Sequence, residues 1–256
     1  MADVTLTYKG NTIAEMSDTG TKTLKTAGKY CEGDIGVSYV KPSSGGSGDG
    51  FWDEDTARAL IDRTSLTSIT FPSGINKIGN YAFANCSNLE LTSLPESITE
   101  IDDYAFSLCS NLSLTSLSES ITTIGNYAFY FCTNLALTSL PNTITKISHY
   151  AFTGCTNLAL TSLPETITEI GSSAFYLCNL TLTSLPGSIT TIGNSAFSGC
   201  TGLTSITFKG TPTVIDSTAF KNCDNLTTIN VPWAEGAVAN APWGATNATI
   251  NYNYTE

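Results

Sequence analysis

The sequence predicts a mainly β, partly irregular protein: a right-handed solenoid of about seven to eight coils with a parallel sheet, plus a small N-terminal β module. The dipeptide Ala-Phe recurs at a spacing of 23 residues, once 22, and a cysteine follows three residues after each Phe. The repeated phenylalanines are Phe83, Phe106, Phe129, Phe152, Phe175, Phe197 and Phe220. Leu and Ile stand at fixed offsets between them. Because one such unit cannot cover its own apolar side, stacked copies must bury it together.

The chain before the repeats divides into three predicted segments. Alternating runs at residues 4–8 and 35–39 are typical of strands, so residues 1–41 are expected to form the small β module. Some 40 residues are few for an independent sheet, so this module is expected to attach to a larger assembly or to self-associate. Residues 42–50 have the composition of a flexible linker. Residues 51–63 are predicted to form a capping helix with acidic residues in its first turn.

Residues 64–231 are predicted to form the solenoid. Most copies place a proline after the strand residues, where a missing N–H does least harm. The middle copies read Leu-x-Leu-Thr-Ser-Leu-Pro, as in residues 135–141, and this spacing departs from strict in–out alternation. The copy between Cys178 and Cys200 is one residue short, so a kink or flattened turn is expected there.

Residues 232–256 break the period and are predicted to form a C-terminal cap, which would protect the last coil from aggregation. Trp233 and Trp243 lie in this segment. The alternative is that these two tryptophans line a ligand pocket.

The first complete copy is a specific motif. Residues 66–86 read Leu-Thr-Ser-Ile-Thr-Phe-Pro-Ser-Gly-Ile-Asn-Lys-Ile-Gly-Asn-Tyr-Ala-Phe-Ala-Asn-Cys. This text closely resembles the unit of the BspA-like leucine-rich-repeat family, and the resemblance covers about two thirds of the chain. It implies a leucine-rich-repeat solenoid that acts as a surface or adhesion-like binding module. Residues 21–31 and 242–250 are also similar to proteins encoded in prophages of gut Firmicutes.

Charge and composition exclude several partners. Charged residues are only 13% of the chain and the net charge is −11, so no basic stripe is present to bind nucleic acid. No run approaches the length of about 18 apolar residues that a membrane span needs, and the start lacks the pattern of a signal peptide. The neutral, hydroxyl-rich composition favours an extracellular, cell-surface or virion-associated protein.

The cysteines are predicted to be structural. Seven of the eight stand at one repeat position, where parallel thiols in successive coils act as small buried hydrophobes. A disulfide between neighbouring coils is the alternative, since adjacent coils are close enough.

Neither a metal, a cofactor nor a catalytic residue is expected. His149 is the single histidine and occupies a polar position that other copies fill with Asn, Asp or Ser, and Cys-x-x-Cys is absent. The acidic runs 102–103 and 53–55 lack the spacing of a calcium loop. Catalysis needs unlike residues that converge, whereas matching coils present ladders of like residues, so the sequence predicts that the protein is not an enzyme.

Aromatic side chains provide the one predicted ligand-binding feature. Tyrosines stand two residues before four successive phenylalanines, and three further aromatic residues lie beside them. The candidate residues are Tyr81, Tyr104, Tyr127, Tyr130, Phe131, Tyr150 and Tyr176. A flat apolar face with a hydroxyl suits sugar rings and protein contacts alike. The alternative is that these tyrosines cover the edge of the core. The Thr-Ser pairs of the strand face are uniform, which suits strand packing better than recognition.

The sequence therefore predicts a non-catalytic recognition module whose repeat surface binds a protein or glycan on a host cell or other surface. Residues 1–41 would tether it to a phage tail or a bacterial surface, or form a homo-oligomer. The alternative is a structural assembly component with no external ligand.

Overall fold

The structure, a computed structural model, describes residues 67–71 and 76–255, and ahead of them the backbone of strands within residues 2–38. It confirms a parallel-sheet β-solenoid of about eight turns, with no helix among the described residues. The predicted linker 42–50 and capping helix 51–63 lie outside the described residues.

Four strands precede the solenoid; the first includes the predicted run 4–8, and the fourth lies within the predicted run 35–39. They are β1 (Ala2–Tyr8), β2 (Asn11–Ser17), β3 (Lys22–Leu24) and β4 (Val37–Ser38). β2 pairs antiparallel with β1 and β3. β1 also pairs with β5 (Ile69–Thr70), and β4 pairs with β6 (Lys77–Ile78), so two of the four strands are bonded to the first coils.

Short parallel strands recur at the same place in seven successive coils and form two separate ladders, which together we call the isoleucine ladder. In each strand the second residue is a buried isoleucine, and in all but the last strand a polar residue precedes it. Its strands after β6 are β7 (Glu100–Ile101), β8 (Thr123–Ile124), β9 (Lys146–Ile147), β10 (Glu169–Ile170), β12 (Thr191–Ile192) and β14 (Val214–Ile215). Each isoleucine lies opposite the isoleucine of the next coil within its sheet, as Ile78 does opposite Ile101. These isoleucines are at most 3% exposed, so the ladder forms one wall of the core.

A second ladder forms only in the C-terminal coils, and this corrects the predicted strand face. Its strands are β11 (Ser184–Leu185), β13 (Ser205–Phe208), β15 (Thr228–Asn230) and β16 (Thr249–Asn251). The exposed Thr-Ser pairs at 92–93, 115–116, 138–139 and 161–162 lie outside any strand. In these middle copies Leu135, Leu137 and Leu140 are all buried. A spacing of two and then three residues cannot point inward along one regular strand, which is why the alternation fails there.

The phenylalanines fill the centre of the solenoid as one column. All seven are at most 2% exposed, and successive rings stack with centroids 5.2–5.6 Å apart. The cysteine column lies beside them, and each thiol from Cys109 to Cys223 donates to a phenylalanine carbonyl of the preceding coil, as Cys155 Sγ does to Phe129 O at 3.0 Å.

The structure agrees with the prediction of buried thiols. All seven repeat cysteines are buried, and those from Cys132 to Cys223 are free. Burial raises the pKa of these thiols, to about 12 for Cys178. They therefore stay protonated and act as packing groups.

The short copy has the flattened turn that its missing residue predicts. In full-length copies the leucine N–H donates to the cysteine carbonyl three residues earlier, as from Leu158 to Cys155 at 3.1 Å. Leu180 follows Cys178 by only two residues, and no turn is present there. The next coil carries Gly202, where an added Cβ would lie 2.4 Å from the Leu180 carbonyl oxygen. The glycine therefore accommodates the displaced chain, and the ring column continues unbroken from Phe175 to Phe197 at 5.5 Å.

The two C-terminal tryptophans are buried in packing against the last coils, as a cap requires. Trp243 is 0% and Trp233 6% exposed, and both rings contact Phe208, with centroids 5.9 and 5.3 Å away.

Candidate recognition surface

The segment Ala-Phe-x-x-Cys, preceded by Tyr, Ser or Thr, forms a turn in each of seven coils, and we call the row of these turns the turn edge. It comprises residues 81–86, 104–109, 127–132, 150–155, 173–178, 195–200 and 218–223. In the third turn the N–H groups of Tyr127, Phe129 and Phe131 donate to carbonyls of the next coil at 3.0, 2.9 and 2.7 Å. To direct these groups forward, Tyr127 and Phe131 adopt left-handed φ angles of 55° and 53°. In this turn Ala128 and Phe129 are buried, whereas the side chains of Tyr127, Tyr130 and Phe131 are partly exposed.

Four tyrosines of the turn edge form a continuous stack, which we call the tyrosine row: Tyr81, Tyr104, Tyr127 and Tyr150. Successive rings lie 4.5–4.6 Å apart and are parallel within 7°. Burial raises the pKa of Tyr127, and the neighbouring phenols of Tyr104 and Tyr150 raise it further. The faces of Tyr104 and Tyr127 are both covered by neighbouring rings. The row therefore presents ring edges and hydroxyl groups, and these inner members offer no free face to a sugar.

A row of polar side chains runs beside the tyrosines and is occupied by structural hydrogen bonds. Asn80 Oδ1 accepts from the Asp103 N–H at 3.1 Å, and Asp103 Oδ1 accepts from the Asn126 N–H at 2.6 Å. His149 continues the series, because its Nδ1 accepts from the Ser172 N–H at 2.9 Å. The exposed imidazole is thus one rung of a ladder, which explains why Asn and Asp serve at the same position.

The remaining candidate residues are partly exposed aromatic residues, and together with two exposed leucines they form a set that we call the apolar patch: Leu108, Tyr130, Phe131, Tyr176 and Leu177. Tyr130 links the patch to the tyrosine row, since its ring lies 5.4 Å from Tyr127 and 4.7 Å from Phe131. Tyr176 stands two coils further along, at the repeat position of Tyr130. The structure therefore brings Tyr130 and Phe131 together with the row, and places Tyr176 separately beside Leu177.

Leu108 and Leu177 are the members of the patch that the sequence analysis missed. They are 42% and 41% exposed, and their φ angles of 62° and 59° are left-handed. Such a conformation costs a residue with a side chain roughly 1–2 kcal/mol. Other copies place Asn85, Gly154, Gly199 and Asn222 at this position. Asn and Gly tolerate the left-handed region better than leucine does. A leucine at a repeat position that other copies fill with Asn or Gly could therefore have identified Leu108 and Leu177 from the sequence.

Glycines in the following coils support the patch. A Cβ added to Gly154 would lie 2.8 Å from the ring of Phe131, and one added to Gly199 would lie 2.7 Å from Leu177 Cδ2. The bulky side chains therefore lie directly on the glycine backbone of the next coil, which fixes their positions.

The turn edge is nearly free of charge. Its segments contain no Asp, Glu, Lys or Arg up to Cys200, and Lys221 is the first. The ion pairs Lys146–Glu169 and Lys77–Glu100 lie on the isoleucine ladder instead. Among the described residues, no three His, Cys, Asp or Glu side chains converge to hold a metal ion. That same part of the chain has no helix long and apolar enough to cross a membrane.

The family comparison agrees with this architecture. The BspA type leucine rich repeat region matches in six copies, over residues 58–145 and 122–235, which is well over half of the chain. No curated protein matches the sequence.

Solved leucine-rich repeat structures are also similar to the chain. The pneumococcal vaccine antigen PcpA is 22% identical with a TM-score of 0.50, over 72% of this chain and 46% of that one. A leucine-rich cell surface protein of Faecalibacterium prausnitzii is 25% identical (TM-score 0.49, 75% and 61%). A leucine-rich repeat protein of Bacteroides ovatus is 24% identical (TM-score 0.45, 76% and 62%). The chain spans less than two thirds of the length of each of these three proteins. The similarity to PcpA shows the fold alone.

Proposed function

Because the chain belongs to the BspA-type leucine-rich repeat family, we propose that it is a non-catalytic recognition module that binds a protein or glycan on a cell surface through its turn edge. Members of this family are typically surface or binding modules. The candidate ligand-binding residues are the tyrosine row together with the apolar patch.

One observation carries this proposal: Leu108 and Leu177 are exposed apolar residues in a strained backbone conformation. Folding would be served better by Asn or Gly, which other copies use at this position. Because about two fifths of each leucine side chain stays exposed although its backbone conformation costs stability, we attribute its benefit to a surface that covers it. Exposed apolar groups around aromatic residues are the usual centre of a protein interface.

The N-terminal module supplies the tether in this proposal. Residues 1–41 attach the solenoid to a larger assembly, either a phage tail or a bacterial surface. The Gly- and Ser-rich segment 42–50 connects this module to the solenoid, with whose first coils β1 and β4 also pair.

The test measures retention of the fluorescently labelled full chain on intact cells of gut Firmicutes, with and without prior treatment of the cells. Protease treatment removes a protein receptor, whereas periodate oxidation destroys a glycan receptor. We expect one treatment to abolish retention, and the double variant Tyr130→Ser, Phe131→Asn to reduce it at least about tenfold, the effect of 1.4 kcal/mol at an interface centre.

Thr92→Ala, Ser93→Ala is the matched control, because both residues are exposed and lie away from the turn edge. Unchanged retention of the Tyr130, Phe131 variant contradicts binding through the edge. Absence of retention on every cell type, with co-purification through residues 1–41 alone, favours a structural assembly component instead.

A further inference from the structure

We propose that the tyrosine row is a site of oxidative modification, at which a one-electron oxidant joins the phenol rings of successive coils as dityrosine. The row also belongs to the proposed recognition surface. The proposal does not rest on that function, because cross-linking is measured on the purified chain alone.

The rings of the row are placed for coupling with one another. Adjacent rings lie 4.5–4.6 Å apart and are parallel within 7°. Burial raises the pKa of Tyr127, and the neighbouring phenols of Tyr104 and Tyr150 raise it further, as hydroxyl groups that lie near each other do. The rings therefore stack with their hydroxyl ends on the same side, so the carbon beside each hydroxyl faces the equivalent carbon in the next coil.

The backbone of the turn does not require tyrosine at this position. The equivalent residues Ser173 and Ser195 adopt a left-handed φ of 53°, close to the 55° of Tyr127. The N–H of Ser173 also donates to a carbonyl of the next coil, at 2.8 Å, as that of Tyr127 does at 3.0 Å. Four consecutive tyrosines therefore add something that the turn itself does not need, which is an unbroken row of oxidisable rings.

The coupling is a balanced two-electron oxidation. Each of two neighbouring phenols gives one electron to the oxidant and its hydroxyl proton to water, which leaves two tyrosyl radicals. The unpaired electron of such a radical lies partly on the ring carbons beside the oxygen, in orbitals perpendicular to the ring plane. Stacked rings direct these orbitals at each other, so one carbon–carbon bond forms between them. The hydrogen on each bonded carbon then moves to the oxygen of its ring, which restores both phenols.

Solvent access favours the row over the other columns of the solenoid. All four tyrosines are partly exposed, whereas the phenylalanine column is at most 2% exposed and carries no hydroxyl. The repeat thiols are buried, and burial raises their pKa, to about 12 for Cys178. They therefore lack the thiolate form that reacts with oxidants. A dissolved oxidant thus meets the tyrosine row before the thiols.

Each cross-link acts as a staple between two coils. Tyr104 and Tyr127 are 23 residues apart, so their coupling closes a loop of one coil and restricts the unfolded chain. The ring centres of two coupled phenols lie about as far apart as those of the row, so the coils keep their spacing while the rings turn. We therefore expect the oxidised chain to unfold at a higher temperature.

The test exposes the full chain, at low micromolar concentration, to light with tris(bipyridine)ruthenium and persulfate, which accepts the electrons. The monomer is then isolated in denaturant and digested with trypsin and a glutamate-specific protease. These cuts leave Tyr81, Tyr104 and Tyr150 in three separate peptides, and Tyr127 in a fourth together with Tyr130. We expect dityrosine fluorescence in the monomer, and cross-linked peptides that join each member of the row to the next.

The double variant Tyr104→Phe, Tyr127→Phe keeps the stacked rings but removes all three neighbouring pairs of phenols. It should give none of these cross-linked peptides and no rise in unfolding temperature. Tyr252→Phe is the matched control, because Tyr252 is also partly buried but lies in the C-terminal segment. It should cross-link like the parent chain, and circular dichroism should show all variants folded before oxidation.

Dityrosine that forms only between chains, or only at tyrosines outside the row, overturns the proposal. An undiminished yield in the double variant does so too, as does the same set of cross-linked peptides from a chain that is oxidised in denaturing urea. An oxidised monomer that unfolds at the temperature of the untreated chain overturns the stapling role. All of these measurements use the chain without cells, so this proposal and the cell-retention test fail separately.

Discussion

The ring of Phe131 lies directly on the backbone of Gly154, so close that an added methyl group would come within 2.8 Å of the ring. Gly154 has a left-handed φ of 72°, and it precedes the buried Cys155 of its own coil. The position of an exposed aromatic residue in one coil is thus determined by the absence of a side chain in the next.

Gly154→Ala is expected to lower the free energy of unfolding by about 2–4 kcal/mol. The left-handed backbone accounts for roughly 1–2 kcal/mol and the overlap with Phe131 for the rest. Gly236→Ala is the matched control, because Gly236 has a φ of 83° and nothing lies within 4 Å of its added Cβ. Urea denaturation monitored by circular dichroism measures both changes. Equal losses in the two variants would show that Phe131 does not rest on Gly154.

The repeat pattern was sufficient to predict which residues form columns. Phe and Cys recur at one position per coil, and stacking of equivalent coils places them in the core, as the 5.5 Å separation of Phe129 and Phe152 confirms. The stacking of the tyrosines followed from the same argument. These predictions need only the period, because a period specifies which side chains are neighbours.

Backbone conformation within the repeat could not be predicted in this way. Periodicity aligned Leu108 with Asn85 and Gly154, yet a period carries no information about φ. The left-handed turn arises because alternate N–H groups must reach the next coil, and that requirement appears only in three dimensions. The same reasoning explains the missing middle strands: leucine spacing showed that alternation fails, but not that scattered inter-coil hydrogen bonds would remain there, as from the Ala136 N–H to the Leu114 carbonyl at 3.1 Å.

Gly202→Ala is expected to lower the free energy of unfolding by about 1–3 kcal/mol, the usual effect of overpacking a tight site. Its Cβ would lie 2.4 Å from the Leu180 carbonyl oxygen, in contact with the short coil. Inserting one serine after Cys178 restores the full coil length, and Gly202→Ala should then be tolerated. Thermal unfolding of the four chains in this cycle measures the coupling. Additive effects would mean that Gly202 does not compensate the missing residue.

Stability is expected to fall at alkaline pH because of the buried thiols. Burial raises the pKa of Cys155 well above 9.0, so the folded chain keeps a proton that the unfolded chain loses. The stabilisation is therefore complete below the ordinary thiol pKa and is lost as pH rises through it towards the folded value. For each such thiol, the free energy of unfolding should be about 2 kcal/mol lower at a pH of roughly 10.5 than at neutral pH.

Urea titrations at several pH values measure this loss, and Cys155→Ser is the control because a hydroxyl does not ionise there. The variant should lose less stability between neutral and alkaline pH than the parent. If the free energy of unfolding falls equally with pH in both chains, the Cys155 thiol titrates normally and is not buried.

His149→Leu is expected to lower the free energy of unfolding by about 0.5–1.5 kcal/mol, because the Ser172 N–H loses the acceptor at 2.9 Å. His149→Asn should cost little, since Asn126 performs the same role one coil earlier. Differential scanning calorimetry of the two variants at neutral pH separates them. If the leucine variant is as stable as the asparagine variant, the hydrogen bond from the Ser172 N–H to His149 does not stabilise the fold.

Leu108→Asn is expected to raise the free energy of unfolding by about 0.5–1 kcal/mol while weakening cell retention. Asparagine tolerates the left-handed φ of 62° better than leucine, and a leucine that is 42% exposed loses less burial on substitution than a core leucine does. Asn222→Leu is the reverse substitution at a left-handed position outside the patch, where φ is 58°. It should lower stability and leave retention unchanged. Urea denaturation and cell retention are measured on the same preparations. For Leu108→Asn we therefore expect the free energy of unfolding to rise and retention to fall. A Leu108→Asn chain that is less stable than the parent would mean that the leucine serves the fold, and the main argument for a recognition surface would fail with it.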